Sequence, residues 1–191
     1  AMRNGGDPYV PLYTMDEALG ALKLFVPHRY QKKFTLFPGM DVRFIDAGHL
    51  LGSASIELWL TENEVQKKLI FSGDIGNLNQ PLIRDPQVPQ EADYVIMEST
   101  YGNRLHEKPK GYLPGLVNVL RETFSRGGSL IIPSFAVGRT QEMLYYFKQI
   151  KDQKLLPEFR DFPIYMDSPL AIEATDIFMR NKESCFDEEA L

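Results

Sequence analysis

The segment that most constrains the fold is residues 69–76, which read Leu-Ile-Phe-Ser-Gly-Asp-Ile-Gly. Three apolar residues in a row predict a buried strand, and the Ser-Gly pair predicts that the strand stops abruptly. Asp74 follows between two glycines, which let the backbone turn sharply and approach whatever the carboxylate holds. Taken alone, the segment favours a simpler alternative, an aspartate that caps its own loop amides.

Two further side chains that can bind metals or carry protons follow predicted strands. His49 comes after a strand at residues 42–45, and Glu98 comes after a strand at residues 94–97. Zinc and similar ions take imidazole and carboxylate ligands, and one carboxylate can bridge two ions. A lone histidine among small residues can equally be a core residue, and two ligands do not make a metal site. Three such groups at strand ends nevertheless predict a functional site.

The rest of the first half is predicted to be a short helix followed by strands. Residues 14–17, Thr-Met-Asp-Glu, have the form of a capping box and predict a helix that continues to about Phe25. Residues 55–60 alternate polar and apolar side chains, as a half-buried strand does. Polar residues 61–68 then predict a longish loop in an antiparallel hairpin.

The second half alternates between helix and strand patterns. We expect helices at residues 113–126, 139–151 and 170–181, and strands at residues 129–133 and 163–166. Alternation of this length implies a parallel sheet with right-handed crossovers. The change of pattern places a domain boundary near residue 102, with one domain at residues 1–102 and another at residues 103–191.

Two polar residues mark the starts of helices in the second half. Arg139 follows a glycine at a helix N-terminus, where a phosphate can bind, or it pairs with a surface carboxylate in an ordinary tight connection. Ser168 precedes Pro169 and predicts a helix cap, and it is also a candidate substrate contact. A modest basic cluster near the boundary predicts a solvated loop, with a groove between domains as the alternative: Arg104, His106, Lys108 and Lys110.

Composition narrows the class of protein. The 191 residues are 43% hydrophobic and 25% charged, as in ordinary soluble globular proteins. The single cysteine, Cys185, excludes an internal disulfide and a cysteine-rich zinc site, and it predicts a reducing cytoplasm. No apolar run approaches the roughly 20 residues of a membrane span. The net charge of −5 does not itself indicate nucleic-acid binding, although a local groove can still be basic. Both ends of the sequence predict an excerpt of a longer protein.

Five short motifs, taken in order, resemble those of one enzyme family. Residues 46–54, 72–76 and 98–102 look like the third and fourth metal-site motifs of the metallo-β-lactamase fold and the first β-CASP motif. Residues 127–139 and 163–171 continue the likeness. The chain is thus similar to the RNA-processing β-CASP nucleases. This resemblance implies an α/β fold: part of a metallo-β-lactamase αββα domain, followed by the first part of a β-CASP domain with a parallel sheet.

The resemblance also implies roles for individual residues. His49 would ligate one zinc ion, and Asp74 would bridge two. Glu98 would orient or charge a histidine that donates a proton, and Arg139 would contact nucleic acid. The family's His-x-His-x-Asp-His signature, which supplies most of the ligands, does not occur in this sequence. Two zinc ions are therefore expected in an intact parent, and weak or no zinc binding in this fragment alone.

The function implied by the resemblance is hydrolysis of RNA phosphodiester bonds by a water that two metal ions activate. RNA is the expected partner, no membrane is involved, and a homodimer stays open. One alternative is a catalytically inactive β-CASP-like scaffold that binds RNA or protein partners. A weaker alternative is a metallo-hydrolase that acts on DNA or on a small ester.

Overall fold

A computed structural model describes residues 11–105 and 111–191. In this part of the chain one sheet has five strands in sequential order: β1 Phe34–Phe37, β2 Met40–Asp46, β3 Ala54–Glu62, β4 Val65–Phe71 and β5 Tyr94–Ile96. The helices are α1 Met15–Leu22, α2 Tyr112–Ser125, α3 Arg139–Asp152, α4 Pro169–Arg180 and α5 Lys182–Cys185, with a 3₁₀ turn at Pro157–Phe159. Strands β1 to β4 pair antiparallel, and β5 pairs parallel with β4. The predicted α/β class is confirmed.

Three strands of the sheet end on the same side. Strand β3 lies antiparallel between β2 and β4, so β2, β4 and β5 run in one direction. Asp46 at the end of β2 pairs with Ala54 at the start of β3. Phe71 at the end of β4 pairs with Ile56 on one side and with Ile96 on the other. The three loops that carry the predicted site residues therefore leave the sheet at the same end.

The hairpin between β3 and β4 is tighter than the sequence predicts. Pairing continues through Leu60 with Lys67 to the last pair of the hairpin. Only Asn63 and Glu64 form the turn, with φ values of 47° and 66°. Two consecutive residues with positive φ make a turn whose twist matches that of the flanking strands. The antiparallel hairpin is confirmed, and the longish loop at residues 61–68 is wrong because strand pairing replaces most of it.

Helix α1 begins with the capping box that the sequence predicts. The Glu17 N–H donates to the Thr14 Oγ1 atom at 3.3 Å, and the Thr14 N–H donates to Glu17 Oε2 at 2.6 Å. The helix ends at Leu22 rather than near Phe25. In the described part of the chain, no helix combines the length and the apolar character that a membrane crossing requires.

The three long helices of the second half are confirmed, but the two strands predicted between them are wrong. Residues 129–133 and 163–166 form neither a strand nor a helix. Ile131 and Tyr165 within these segments are each 86% exposed. An extended segment becomes a strand only when a neighbour accepts and donates its backbone hydrogen bonds. The parallel sheet expected in the second half is therefore not formed by these segments, and the parallel pair that is present joins β4 and β5.

Two apolar clusters pack the three long helices of the second half. One lies within the second half and packs α2 against α3 and the segment after it: Val117, Leu120, Phe147, Ile150 and Leu156. The other joins the halves, because Leu82 and Ile83 pack against Tyr145, Phe178 and Phe186. A backbone bridge between Ile83 and Phe186 lies in this second cluster. The predicted boundary near residue 102 stays a prediction.

A charged group is buried within the sheet. The Glu57 side chain on β3 is fully buried, and Arg43 Nε lies 2.5 Å from its Oε2 atom. Lys68 Nζ lies 2.6 Å from Oε1, within ion-pair distance although not aligned as a hydrogen bond. Burial raises the pKa of Glu57, but the interactions with the two cations outweigh burial and leave the pKa below its ordinary value.

Candidate active site

The loops after β2 and β4 bring His49 and Asp74 together. The His49 Nε2 and Asp74 Oδ2 atoms are 3.9 Å apart. The two side chains are 41% and 73% exposed, so both remain in contact with solvent. Zinc binds imidazole nitrogen and carboxylate oxygen at about 2 Å each. A single cation between these two atoms is therefore within reach of both.

Glycines allow the two loops to touch through their backbones. The Gly76 N–H donates to the Ala47 carbonyl oxygen at 2.8 Å. A Cβ atom at Gly76 would lie 1.7 Å from the Gly48 carbonyl oxygen, so a larger residue does not fit without movement. Gly48 has a φ of 58°, in the left-handed region that favours glycine. The loops that carry His49 and Asp74 are thus in direct backbone contact.

Sequence reasoning missed the residues that hold the His49 loop. The Ser53 Oγ atom accepts hydrogen bonds from the backbone N–H groups of His49 and Leu50 at 3.1 and 3.2 Å. The Tyr30 hydroxyl donates to the Ser53 carbonyl oxygen at 2.8 Å. The Gly-Ser pair just before β3 is a signal that could have pointed to Ser53. Nothing in the sequence around Tyr30 indicates its contact.

Glu98 leaves the same end of the sheet, two residues after β5. Its Oε2 atom accepts a hydrogen bond from the Thr100 backbone N–H at 2.6 Å. Hydrogen bonds from the Thr100 side chain and amide hold the pKa of Glu98 below its ordinary value. Among the described residues, no hydrogen bond or ion pair joins Glu98 to His49 or Asp74. Glu98 is therefore an exposed, ionised carboxylate at this end of the sheet.

A cavity of about 400 Å³ extends from His49 to the second half of the chain. Its lining includes His49 and Leu50 from the first half of the chain and Arg139 and Glu142 from the second. Gly138 packs so closely that a Cβ atom there would lie 2.4 Å from a Leu50 methyl group. The sequence assigns these residues to separate domains, and the structure brings them to one cavity.

Arg139 is held on the cavity wall by a buried carboxylate. Its Nη1 atom lies 2.5 Å from Glu142 Oε2, and the arginine side chain remains 56% exposed. Burial raises the pKa of Glu142, and the charge of Arg139 acts in the opposite direction. The backbone N–H groups of Gly138, Arg139 and Thr140 are already bonded within the loop. Any anion at this position would therefore be bound by the guanidinium group rather than by the helix amides.

The other predicted residues of the second half lie at helix starts or outside the described residues. Ser168 Oγ accepts a hydrogen bond from the Ala171 N–H at 3.2 Å, which confirms the predicted cap of α4. Its contact with substrate stays a prediction. The Arg104 guanidinium lies 4.5 Å from the centre of the Tyr101 ring. The rest of the predicted basic cluster lies outside the described residues: His106, Lys108 and Lys110.

Comparison with known proteins decides the family. The model of the Beta-Casp domain matches residues 140–191. Ribonuclease TTHA0252 of Thermus thermophilus is 34% identical over 180 residues, which is 94% of this chain. The chain belongs to the metallo-β-lactamase/β-CASP family.

Other relatives of this β-CASP chain carry similar names. The RNase J-like protein of Methanocaldococcus jannaschii is 39% identical over 78% of the chain. Cleavage and polyadenylation specificity factor 73 of Drosophila melanogaster is 31% identical over 73% of the chain. The chain spans 39%, 34% and 20% of the lengths of these three relatives. It therefore corresponds to less than half of each.

The described residues of the β-CASP chain bring two possible metal ligands close together. Its described residues contain no group of three or more histidine, cysteine, aspartate or glutamate side chains placed to hold one ion. His49 and Asp74 are the pair that lies close enough to share a cation, and both are donor types that zinc accepts. Zinc sites in proteins use three or four protein ligands, so these two donors fit an incomplete set. Their roles as ligands stay a prediction.

Proposed function

We propose that the full-length protein containing this chain is a metal-dependent ribonuclease that hydrolyses RNA phosphodiester bonds. The observation that carries the proposal is the His49–Asp74 pair, 3.9 Å apart, together with a cavity that is lined by both His49 and Arg139. A pair of possible metal ligands and a cation that shares a cavity with one of them suit a phosphate backbone, whose negative charge needs compensation.

His49 and Asp74 would hold divalent metal, with zinc as the proposed ion and Asp74 shared between two ions. Bound divalent metal lowers the pKa of a coordinated water and offsets negative charge on the phosphoryl oxygens. The Gly76–Ala47 hydrogen bond joins the two loops that carry these residues. Arg139, held by Glu142, would bind a phosphate oxygen through the N–H donors that the ion pair leaves free.

Glu98 is proposed to act on a proton carrier rather than to carry the proton itself. Its pKa lies below the ordinary glutamate value because Thr100 donates hydrogen bonds to it. The carboxylate is therefore ionised at neutral pH and cannot serve as the acid. A fixed negative charge next to a histidine raises the proton affinity of that histidine, which suits protonation of the leaving oxygen.

The test uses the full-length protein, zinc and a labelled single-stranded RNA. Asp74→Asn keeps the shape of the side chain but removes the charge that two cations share. We expect turnover to fall by more than about 100-fold, since even outer-shell changes cost 10- to 100-fold, and zinc content per chain to fall with it. Asp176→Asn, an exposed aspartate on α4, is the matched control and should leave both unchanged.

The outcomes separate the candidate functions. Metal-dependent cleavage of RNA that disappears in Asp74→Asn supports the nuclease. RNA binding without cleavage in the unaltered full-length protein supports the scaffold alternative. Near-native zinc content and cleavage in Asp74→Asn would show that the assigned ligand pair is wrong.

The proposal includes a cytoplasmic location and leaves a homodimer as a partner to be tested. The sequence has one cysteine, Cys185, which is free and partly buried. The lack of an internal disulfide supports the location, because the cytoplasm is a reducing compartment. Cell fractionation tests the location, and sedimentation of the full-length protein tests the dimer. The 191-residue chain alone is expected to bind zinc weakly and to cleave no RNA, which zinc titration and the same cleavage assay test.

A further inference from the structure

Ser53 makes several hydrogen bonds within the loop that presents His49. Its hydroxyl oxygen accepts from the N–H groups of His49 and Leu50 at 3.1 and 3.2 Å. Its N–H donates to the Leu50 carbonyl oxygen at 3.0 Å, and its carbonyl oxygen accepts from the Ala47 N–H at 3.2 Å. Four hydrogen bonds therefore run from one residue to three others, all within the loop that carries the metal-binding imidazole.

Tyr30 ties this loop to a distant part of the chain. Its hydroxyl donates to the Ser53 carbonyl oxygen at 2.8 Å, from 23 residues earlier in the sequence. The tyrosine is half-buried. Burial and the nearby Asp46 raise its pKa, so the hydroxyl keeps its proton and remains a donor over the ordinary pH range.

The hydrogen bonds continue to the second ligand loop through Ala47. Its N–H donates to Ser53, and its carbonyl oxygen accepts from the Gly76 N–H at 2.8 Å. Gly76 is two residues from Asp74. A continuous path thus runs from Tyr30 through Ser53 and Ala47 to the loop of the second ligand. The His49 and Asp74 side chains themselves are 41% and 73% exposed.

We propose that Ser53, held in place by Tyr30, is the positioning residue that keeps His49 within metal-sharing distance of Asp74. This inference rests on the proposed metal site and deepens it. Ser53 does not touch the metal or the substrate. It acts through the loop backbone, and loss of its hydroxyl removes the acceptor of two adjacent N–H groups at once.

The experiment compares four variants of the full-length protein: Ser53→Ala, Ser53→Thr, Tyr30→Phe and the control Tyr165→Phe. The first readout is amide hydrogen exchange at His49 and Leu50, measured without metal or RNA. A typical hydrogen bond contributes enough stability that its loss should speed exchange by about fivefold or more in Ser53→Ala. Ser53→Thr retains the hydroxyl and should restore protection. Tyr30→Phe should give a smaller increase, and Tyr165→Phe, altered at a largely exposed side chain, none.

The second readout is zinc affinity by titration. Changes to groups that support a ligand typically cost 10- to 100-fold in metal affinity, so Ser53→Ala should weaken zinc binding by about tenfold, with rescue by threonine. If Ser53→Ala does not fold, Tyr30→Phe decides by the same two measurements.

Two results would overturn the inference. One is that the His49 and Leu50 amides are unprotected from exchange in the unaltered protein, and the other is that their exchange rates are unchanged in Ser53→Ala and Tyr30→Phe. Because exchange is measured without metal, either result leaves the proposed nuclease standing. If the unaltered protein does not bind zinc, the proposed function is wrong. Faster exchange in Ser53→Ala would then show only that Ser53 orders the loop, and its role in metal binding would be wrong as well.

Discussion

The backbone contact between the loops that carry His49 and Asp74 can be tested by one added methyl group. Gly76→Ala places a Cβ atom 1.7 Å from the Gly48 carbonyl oxygen and 2.9 Å from the His49 nitrogen. Cβ atoms in real proteins do not approach other heavy atoms closer than 3.0 Å, so the loops must separate. The required movement is more than about 1 Å, because carbon and oxygen cannot overlap. Gly76 does not have a positive φ, so alanine is not itself strained there.

The energetic cost follows from the contacts that this movement breaks. The Gly76–Ala47 hydrogen bond of 2.8 Å would stretch beyond bonding range, at a cost of about 1 kcal/mol. Overpacking adds about 1–3 kcal/mol. We therefore expect the free energy of unfolding to fall by about 2 kcal/mol or more. A 1 Å displacement of a catalytic group can cost about 100-fold in rate, so turnover of the full-length protein should fall by about that factor.

The assay measures the thermal midpoint, zinc content and RNA cleavage of Gly76→Ala beside Gly115→Ala. Gly115 lies within α2 and has nothing within 4 Å of the position that a Cβ atom would take, so alanine should stabilise by about 0.5–1 kcal/mol. Native stability, zinc content and cleavage in Gly76→Ala would refute the reasoning, because the loops would then not be in the contact that fixes His49 against Asp74.

Three further predictions concern charged side chains. Arg139→Ala should weaken RNA binding and reduce the slope of log affinity against log salt by about one, whereas unchanged affinity and slope would leave Arg139 with a structural role only. Glu98→Gln should lower turnover while zinc content stays normal, and parallel loss of zinc would make Glu98 a ligand instead. Glu57→Gln should destabilise by about 3 kcal/mol, because it leaves two partly buried cations without their anion, whereas the same change in the exposed Glu158–Arg121 pair should have a much smaller effect. Because the folded-state pKa of Glu57 lies below its ordinary value, its stabilisation is present at neutral pH and is lost as the pH falls through that lowered pKa, which acid titration of unfolding measures.

Features set by neighbouring residues could be predicted from the sequence. The capping box at Thr14, the cap at Ser168 and the long helices of the second half depend on local hydrogen bonds and on the spacing of apolar side chains. The ends of β4 and β5 also follow from local pattern, because apolar runs stop at polar or glycine residues there. The shared direction of the strands then explains why residues far apart in sequence leave the sheet together.

Features that depend on distant partners could not be predicted in this way. Residues 129–133 have the composition of a strand, but strand formation needs a paired neighbour that local sequence does not specify. The contact of Gly138 with Leu50 brings Arg139 to the His49 cavity and arises only from packing between the halves. Tyr30 reaches Ser53 from 23 residues away, and no spacing rule relates the two.

The burial of Leu82 and Ile83 among side chains of the second half has a consequence for how the chain unfolds. A fragment cut near residue 102 would leave these two apolar side chains uncovered and prone to self-association. The same packing links the stability of one half to that of the other, so they should melt in a single cooperative transition. A ligand that binds only the folded state stabilises every part of the protein that unfolds together with its site. A ligand bound near Arg139 should therefore also slow proteolysis of the first half of the chain.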